Sequence, residues 1–157
     1  MGCEAIAIHE AYKRGDLEAL KALLGSQEID LEYAIYHSPL SFVRALLELG
    51  ADPNYGDHAG FPSLIAAIST ERPDKRELVE LLLSRGADIQ QRGVNDYTPL
   101  HYAAARNDAK LIELLLARGA DPNARTRIDD FATPAQEAEL LRCPGAVQAL
   151  RKASEPS

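Results

Sequence analysis

The sequence contains no tryptophan, a single methionine and only 6% aromatic residues. A chain so poor in large rings has few of the aromatic side chains favoured in β-sheets. Alanine and leucine carry most of its apolar content, which favours close-packed helices. There are only two cysteines, Cys3 and Cys143, far apart and outside any Cys-x-x-Cys pattern. That argues against a disulfide framework and against a zinc site, and two free thiols suit a reducing compartment. Basic residues are outnumbered, 17 Lys and Arg against 24 Asp and Glu, for a formal net charge of -7. A nucleic-acid backbone would be repelled by such a surface. No apolar run approaches the ~20 residues that cross a bilayer. The opening Met1-Gly2-Cys3-Glu4-Ala5-Ile6 has no basic segment followed by an apolar one, so no secretory signal is read there. Gly2-Cys3 has the start of a dual-acylation signal, but Ile6 stands where Ser or Thr is required. These absences predict a cytoplasmic protein.

Signatures of chemistry are missing as well. The chain has no GxxxxGK[ST], no GxGxxG and no GxSxG. Its acidic residues fall on expected solvent faces or in turns, so no buried carboxylate pair is indicated. His37 and His58 fall at expected surface positions, with no further ligands at metal-binding spacing. The reading is a non-enzyme with no cofactor and no metal.

What the sequence does have is repetition. Gly-Ala-Asp recurs at Gly50-Ala51-Asp52, Gly86-Ala87-Asp88 and Gly119-Ala120-Asp121, spaced 36 and then 33 residues apart. Each triplet follows a leucine-rich stretch, Leu46-Leu47, Leu81-Leu82-Leu83 and Leu114-Leu115-Leu116, and Pro-Asn follows it at Pro53-Asn54 and Pro122-Asn123. The clearest unit runs from Asn95 to Ala124. Thr98 can cap a helix that Pro99 begins, since the first helical position needs no amide donor. Arg106-Asn107-Asp108 breaks that helix. A second follows, with Leu111, Ile112, Leu114 and Leu115 at apolar spacing, and Gly119 ends it. Asp121-Pro122-Asn123 then turns the chain outward.

This unit resembles the ankyrin repeat: Thr98-Pro99-Leu100-His101, the paired Ala103-Ala104, the leucine triplet and the Gly-Ala-Asp turn occur in order at a period near 33. The preceding unit follows the same plan from Phe61 to Leu83, with about three extra residues within Thr70–Lys75. Earlier still, Leu31 to Ile35 and Phe42 to Leu49 form a pair, with Ser38-Pro39 opening its second helix. The first unit uses Ile8 to Ala11 and Leu17 to Leu24. Only Gly25 to Asp30 joins it onward, so its outward hairpin is missing. The last has Thr133-Pro134 and then Ala146 to Leu150, with Glu137, Glu139 and Arg142 giving it a polar cap. The expectation is one all-α domain over 1–153, an ankyrin-repeat solenoid of about five stacked helix pairs with hairpin-like loops. Its units cover roughly 4–28, 29–56, 57–92, 93–127 and 128–152, with a short polar tail over 153–157. The irregular first, second and last units argue against a consensus design.

The resemblance implies a protein–protein interaction module, a scaffold whose concave groove and hairpin tips bind a partner protein or peptide. The alternative is a regulatory or inhibitory subunit of a specific enzyme or toxin. The free chain is expected to be a monomer that touches neither nucleic acid nor membrane. The family's contact positions fall at the hairpins on Tyr55, His58, Ala59, Phe61, Arg92, Val94, Asn95, Tyr97, Arg127, Asp129 and Asp130. On the first helices they fall on Tyr36, His37, Ser69, Thr70, Ala105 and Arg106. Tyrosine and arginine are common hot-spot residues; the alternative is that Phe61 and Tyr97 simply pack across adjacent hairpins. The last hairpin, Arg125 to Phe131, reads as either a specificity patch or a capped edge. The resemblance makes His101 structural, bonded to the neighbouring loop, and gives His9, at the equivalent place in the first unit, the same role.

Overall fold

The computed structural model describes residues 2–54, 61–93, 96–127 and 131–156. Among these, ten helices form five successive pairs: α1 (Cys3–Arg14) with α2 (Leu17–Leu24), α3 (Leu31–His37) with α4 (Leu40–Glu48), and α5 (Ser63–Ser69) with α6 (Lys75–Ser84). They continue with α7 (Pro99–Ala105) and α8 (Ala109–Ala117), then α9 (Pro134–Leu140) and α10 (Pro144–Ser154). The expected all-α solenoid is the observed architecture. The expected tail is shorter than read, because α10 runs on to Ser154. The unit boundaries drawn near 56–57 and at 128 lie outside the described residues.

Local chemistry starts and stops these helices. Carboxylates of Asp16, Asp30 and Asp108 accept the backbone N–H of Ala19, Tyr33 and Leu111 at 3.0, 3.0 and 3.1 Å. Each satisfies a donor that a first turn leaves unpaired. Thr133 and Gln136 do so reciprocally for α9. The Gly-Ala-Asp triplet closes three helices in one way. Its glycine takes a φ of 99, 92 or 91° at Gly50, Gly86 and Gly119, a conformation L side chains resist. The alanine N–H then reaches back to Leu46, Leu82 or Leu115 at 3.0 Å. Finally, the aspartate accepts the amide two residues on, at Asn54, Gln90 and Asn123. Asn54 further binds the next turn, donating to the Gly86 carbonyl at 2.9 Å and accepting from the Asp88 amide at 2.6 Å.

The core runs unbroken along the stack. Leu20, Ile35, Leu64, Ile68, Leu78, Leu82, Leu100, Ile112, Leu115 and Leu150 are almost fully buried, and Ala66, Ala67, Ala103 and Ala104 let helices approach closely. The first helices pack on one another in sequence, α1 on α3, α3 on α5, α5 on α7 and α7 on α9. Of the second helices, only α8 and α10 are comparably close. A stack spaced more tightly along one edge curves toward it, so the first helices line the concave side.

The extra residues between α5 and α6 form a strap. Arg72 donates to the carbonyls of Ile35 and Ser38, at 2.9 and 2.6 Å, satisfying acceptors that the C-terminal end of α3 leaves unpaired. Asp74 grips the same guanidinium with both oxygens at 2.7 Å, and this bonding holds its carboxyl below the usual range. Arg72→Met is expected to cost about 1–3 kcal/mol, since it leaves carbonyls and a carboxylate without their charged partner. Urea denaturation of the two chains checks this; an unchanged midpoint would show the strap to be passive.

Candidate functional site

Two adjoining features occupy the concave side and the hairpin bases. The first is a row of rings. Phe61 meets Tyr102 edge to face with centroids 6.2 Å apart, Tyr102 meets Tyr97 at 5.6 Å, and Tyr97 stacks on His101 at 5.3 Å. Phe61, Tyr97 and Tyr102 are half-buried, while His101 is fully enclosed. The row is fixed from below and from the side. His101 Nδ1 accepts from the Thr98 amide at 3.3 Å and lies 2.8 Å from the Thr98 hydroxyl; Nε2 donates to the Ala132 carbonyl at 3.0 Å. These partners assign the neutral Nε2–H tautomer. Burial lowers the imidazole's pKa, partly offset by the Ala132 carbonyl, so it is neutral near pH 7. The Tyr97 hydroxyl donates to Glu137 at 2.5 Å, joining the segment that enters α7 to α9. Gly93 admits Tyr102 beneath the hairpin: a Cβ there would lie 2.9 Å from the phenol oxygen and 3.0 Å from Ile65.

The second feature is a charge knot at Asp96. This aspartate is buried with φ 59°, and three groups of Arg127 converge on it: the backbone N–H, Nε at 2.9 Å and Nη2 at 2.6 Å. Arg92 Nη1 adds contacts to the Asp96 carboxylate at 3.1 Å, its carbonyl at 2.8 Å and the Arg125 carbonyl at 2.9 Å. Hydrogen bonds from Arg127 hold the Asp96 pKa down to about 2 despite the opposing effect of burial. The knot links two successive hairpins. It therefore keeps its charge, and its contribution to stability, until the pH falls below about 4, losing it as the pH approaches 2.

The candidate residues sort accordingly. Tyr36 and His37 are exposed on α3, and Arg106 reaches from the end of α7 to Glu71 at 2.8 Å. Phe61 and Tyr97 belong to the ring row. Arg92 and Arg127 are joined at Asp96, Arg92 with its side chain 27% exposed and Arg127 74%. Tyr55, His58, Ala59, Val94, Asn95, Asp129 and Asp130 lie outside the described residues. Thr70 is corrected: it is 4% exposed and its hydroxyl donates to the Ala67 carbonyl, so it serves the end of α5 and not a partner. His9 is also corrected. It makes no bond to a following loop, because its unit lacks the hairpin that would supply the carbonyl. Its Nδ1 instead shares a hydrogen bond with the Tyr33 hydroxyl. Tyr102, Glu71 and Glu137 were missed. Glu71 stands 35 positions before Arg106 and Glu137 40 after Tyr97, so only a search about one repeat away would find these partners. No group of three or more His, Cys, Asp or Glu among the described residues is placed to hold a metal.

A family model described as ankyrin repeats, in three copies, matches residues 31–126. The chain is 33% identical over 116 residues to Ankyrin repeat and SOCS box protein 11 of Pongo abelii, and 32% identical to that of Homo sapiens. Each match covers 68% of this chain and 35% of the relative. It is 40% identical over 82 residues to the human Neurogenic locus notch homolog protein 4, covering 52% of this chain and 4% of that protein. The chain thus spans about a third of the length of the first relatives it matches.

Proposed function

Because the chain belongs to the ankyrin-repeat family of protein–protein interaction modules, we propose that it binds one partner protein through the concave side and hairpin bases described above. The ring row carries this reading. Phe61, Tyr97 and Tyr102 expose part of their surface yet are held in place by stacking, by Glu137 and by the His101 network. Side chains ordered before binding lose little entropy on binding, and half-buried aromatic residues are the usual energetic anchors of an interface. Arg106, Tyr36 and the exposed flank of Arg127 supply the polar margin. The chain performs no catalysis of its own, works as a monomer in the cytoplasm, and scaffolds or restrains its partner. The second reading, a regulatory subunit of an enzyme or toxin, differs only in what the partner does once bound.

The test is capture from lysate followed by reconstitution with the purified partner. Tyr36→Ala, Phe61→Ala and Arg106→Ala are combined, and circular dichroism establishes that the variant is folded. Arg76→Ala with Glu80→Ala on α6 serves as the outer-face control. The groove variant is expected to bind roughly 30-fold more weakly, the loss of about 2 kcal/mol at one hot spot, with the control unchanged. Equal binding by the groove variant would refute the assignment. A partner whose enzymatic activity changes on forming a 1:1 complex would favour the regulatory reading.

A further inference from the structure

The first two inner helices carry a cluster whose ring nitrogens the stack only partly uses. His9 of α1 and His37 of α3 face each other edge to face, with centroids 5.1 Å apart. Tyr33 packs 4.3 Å from His37 and shares its hydroxyl's hydrogen bond with His9 Nδ1. Among the described residues, His9 Nε2 and both ring nitrogens of His37 have no hydrogen-bond partner. His37 is exposed and His9 half-buried, so these nitrogens lie at the groove surface.

The electrostatic surroundings are unusual for so acidic a chain. The groups that act on His37 are His9 and Lys13, both basic. Lys13 meets Glu10 at 3.5 Å, and both side chains are about half exposed. Elsewhere on α3 the titratable groups are Glu32, Tyr33 and Tyr36. On α4 they are Arg44 and Glu48, both exposed, with Glu48 paired to Arg85 at 3.0 Å. The helix α5 has none. Arg72, bonded to the carbonyls of Ile35 and Ser38, is already neutralised by Asp74. No carboxylate among the described residues bonds either imidazole.

We propose that the His9–His37 pair, with Lys13 beside it, receives a carboxylate side chain of the bound protein and takes up a proton from solvent as it does so. The inference rests on the groove reading and names the chemistry of one end of the groove. Burial and the two basic neighbours oppose protonation of His37 in the free chain. An incoming carboxylate outweighs these effects by its opposite charge, donating nothing and accepting from the imidazolium N–H groups. The complex then holds more protons than its free components, so affinity rises as pH falls through the histidine range.

The full chain is titrated with hexaglutamate while the imidazole resonances are followed by NMR, with hexaglutamine as the neutral probe. Hexaglutamate is expected to shift the His9 and His37 signals saturably and to bind about tenfold more tightly at pH 6.0 than at pH 7.5. Hexaglutamine should do neither, and the folded His9→Gln, His37→Gln double variant should lose the effect. Imidazoles unmoved by hexaglutamate, or equal binding by the double variant, would overturn the assignment. The captured partner separates the two proposals. A partner lost by the Phe61-containing groove variant but retained in full by the double glutamine variant refutes the imidazole site and leaves the groove standing. A partner retained by both variants refutes both.

Discussion

His101→Ala is expected to lower stability by about 2–4 kcal/mol and the melting temperature by roughly 5–15 °C. Three losses combine. A fully buried ring is replaced by a methyl group, leaving a cavity beneath Tyr97. The Ala132 carbonyl loses one of its two donors, keeping the Thr126 N–H at 3.1 Å, and the Thr98 amide loses its acceptor at 3.3 Å. The orphaned Thr98 amide costs about 1–3 kcal/mol, the carbonyl less because it stays partly satisfied, and the cavity supplies the rest. The pH dependence identifies the residue. The folded imidazole has a lowered pKa, whereas the unfolded one titrates near the model-peptide value of about 6.5. Below about pH 6.5 the unfolded chain therefore binds the extra proton first, and wild type loses stability as the pH drops. The alanine variant lacks this term, so the gap between the two chains should narrow between pH 7 and pH 5. His37 also has a lowered pKa, but it is present in both chains and cancels in the comparison. Chemical denaturation across that range makes the measurement. A gap that widens on acidification would mean that His101 is charged in the folded state.

The parts of the fold legible in sequence are those governed by residues close together. Gly119-Ala120-Asp121 states its own turn, because the glycine conformation, the returning alanine amide and the aspartate acceptor all lie within a few residues. The same holds for the caps at Asp16, Asp30 and Asp108. The site was less legible because its bonds span whole repeats. Arg92 reaches the carbonyl of Arg125, 33 positions on, and Asn54 reaches that of Gly86, 32 positions on. A backbone carbonyl has no sequence signature, so an arginine serving one reads as a free surface charge. Asp96 with Arg127, 31 positions apart, was the recoverable case: opposite charges about one repeat apart in stacked hairpins should meet. His9 failed for the opposite reason. Its motif position was right, but the loop that gives that position its role is absent from the first unit. Function follows the same division. The rigid lower half of the ring row is set by motif residues such as Thr98 and His101, whereas its exposed edge depends on Phe61 and Tyr102, which no local rule specifies.

Position along the stack, and not burial alone, should decide what a core substitution does. Leu20 in α2 and Leu82 in α6 are both fully buried. Leucine-to-alanine at either removes about 2–5 kcal/mol of local stabilisation. In a solenoid each unit is held only by its neighbours, so the consequences differ. The pair α1–α2 is joined onward chiefly through α1 on α3, supported by the Tyr12 hydroxyl accepting from the Asp30 amide at 2.8 Å. Leu20→Ala should therefore release that end alone. Amide exchange is expected to accelerate over residues 3–24, with the main melting transition moved by only a few degrees. Leu82→Ala acts beside the Gly86 turn that Asn54 binds and on the helix that the Arg72–Asp74 strap introduces. Weakening that unit uncouples both halves, so the whole transition should fall by roughly 5–15 °C, with exchange rising throughout. Mass-spectrometric hydrogen exchange with thermal melts distinguishes the cases. Uniform exchange in both variants would mean that the stack opens as one block. The predicted asymmetry has a functional consequence. A frayed α1 removes His9 and Lys13 from the groove while Phe61, Tyr97 and Tyr102 stay in place. Leu20→Ala should then reduce binding of hexaglutamate before it reduces capture of a partner through the ring row.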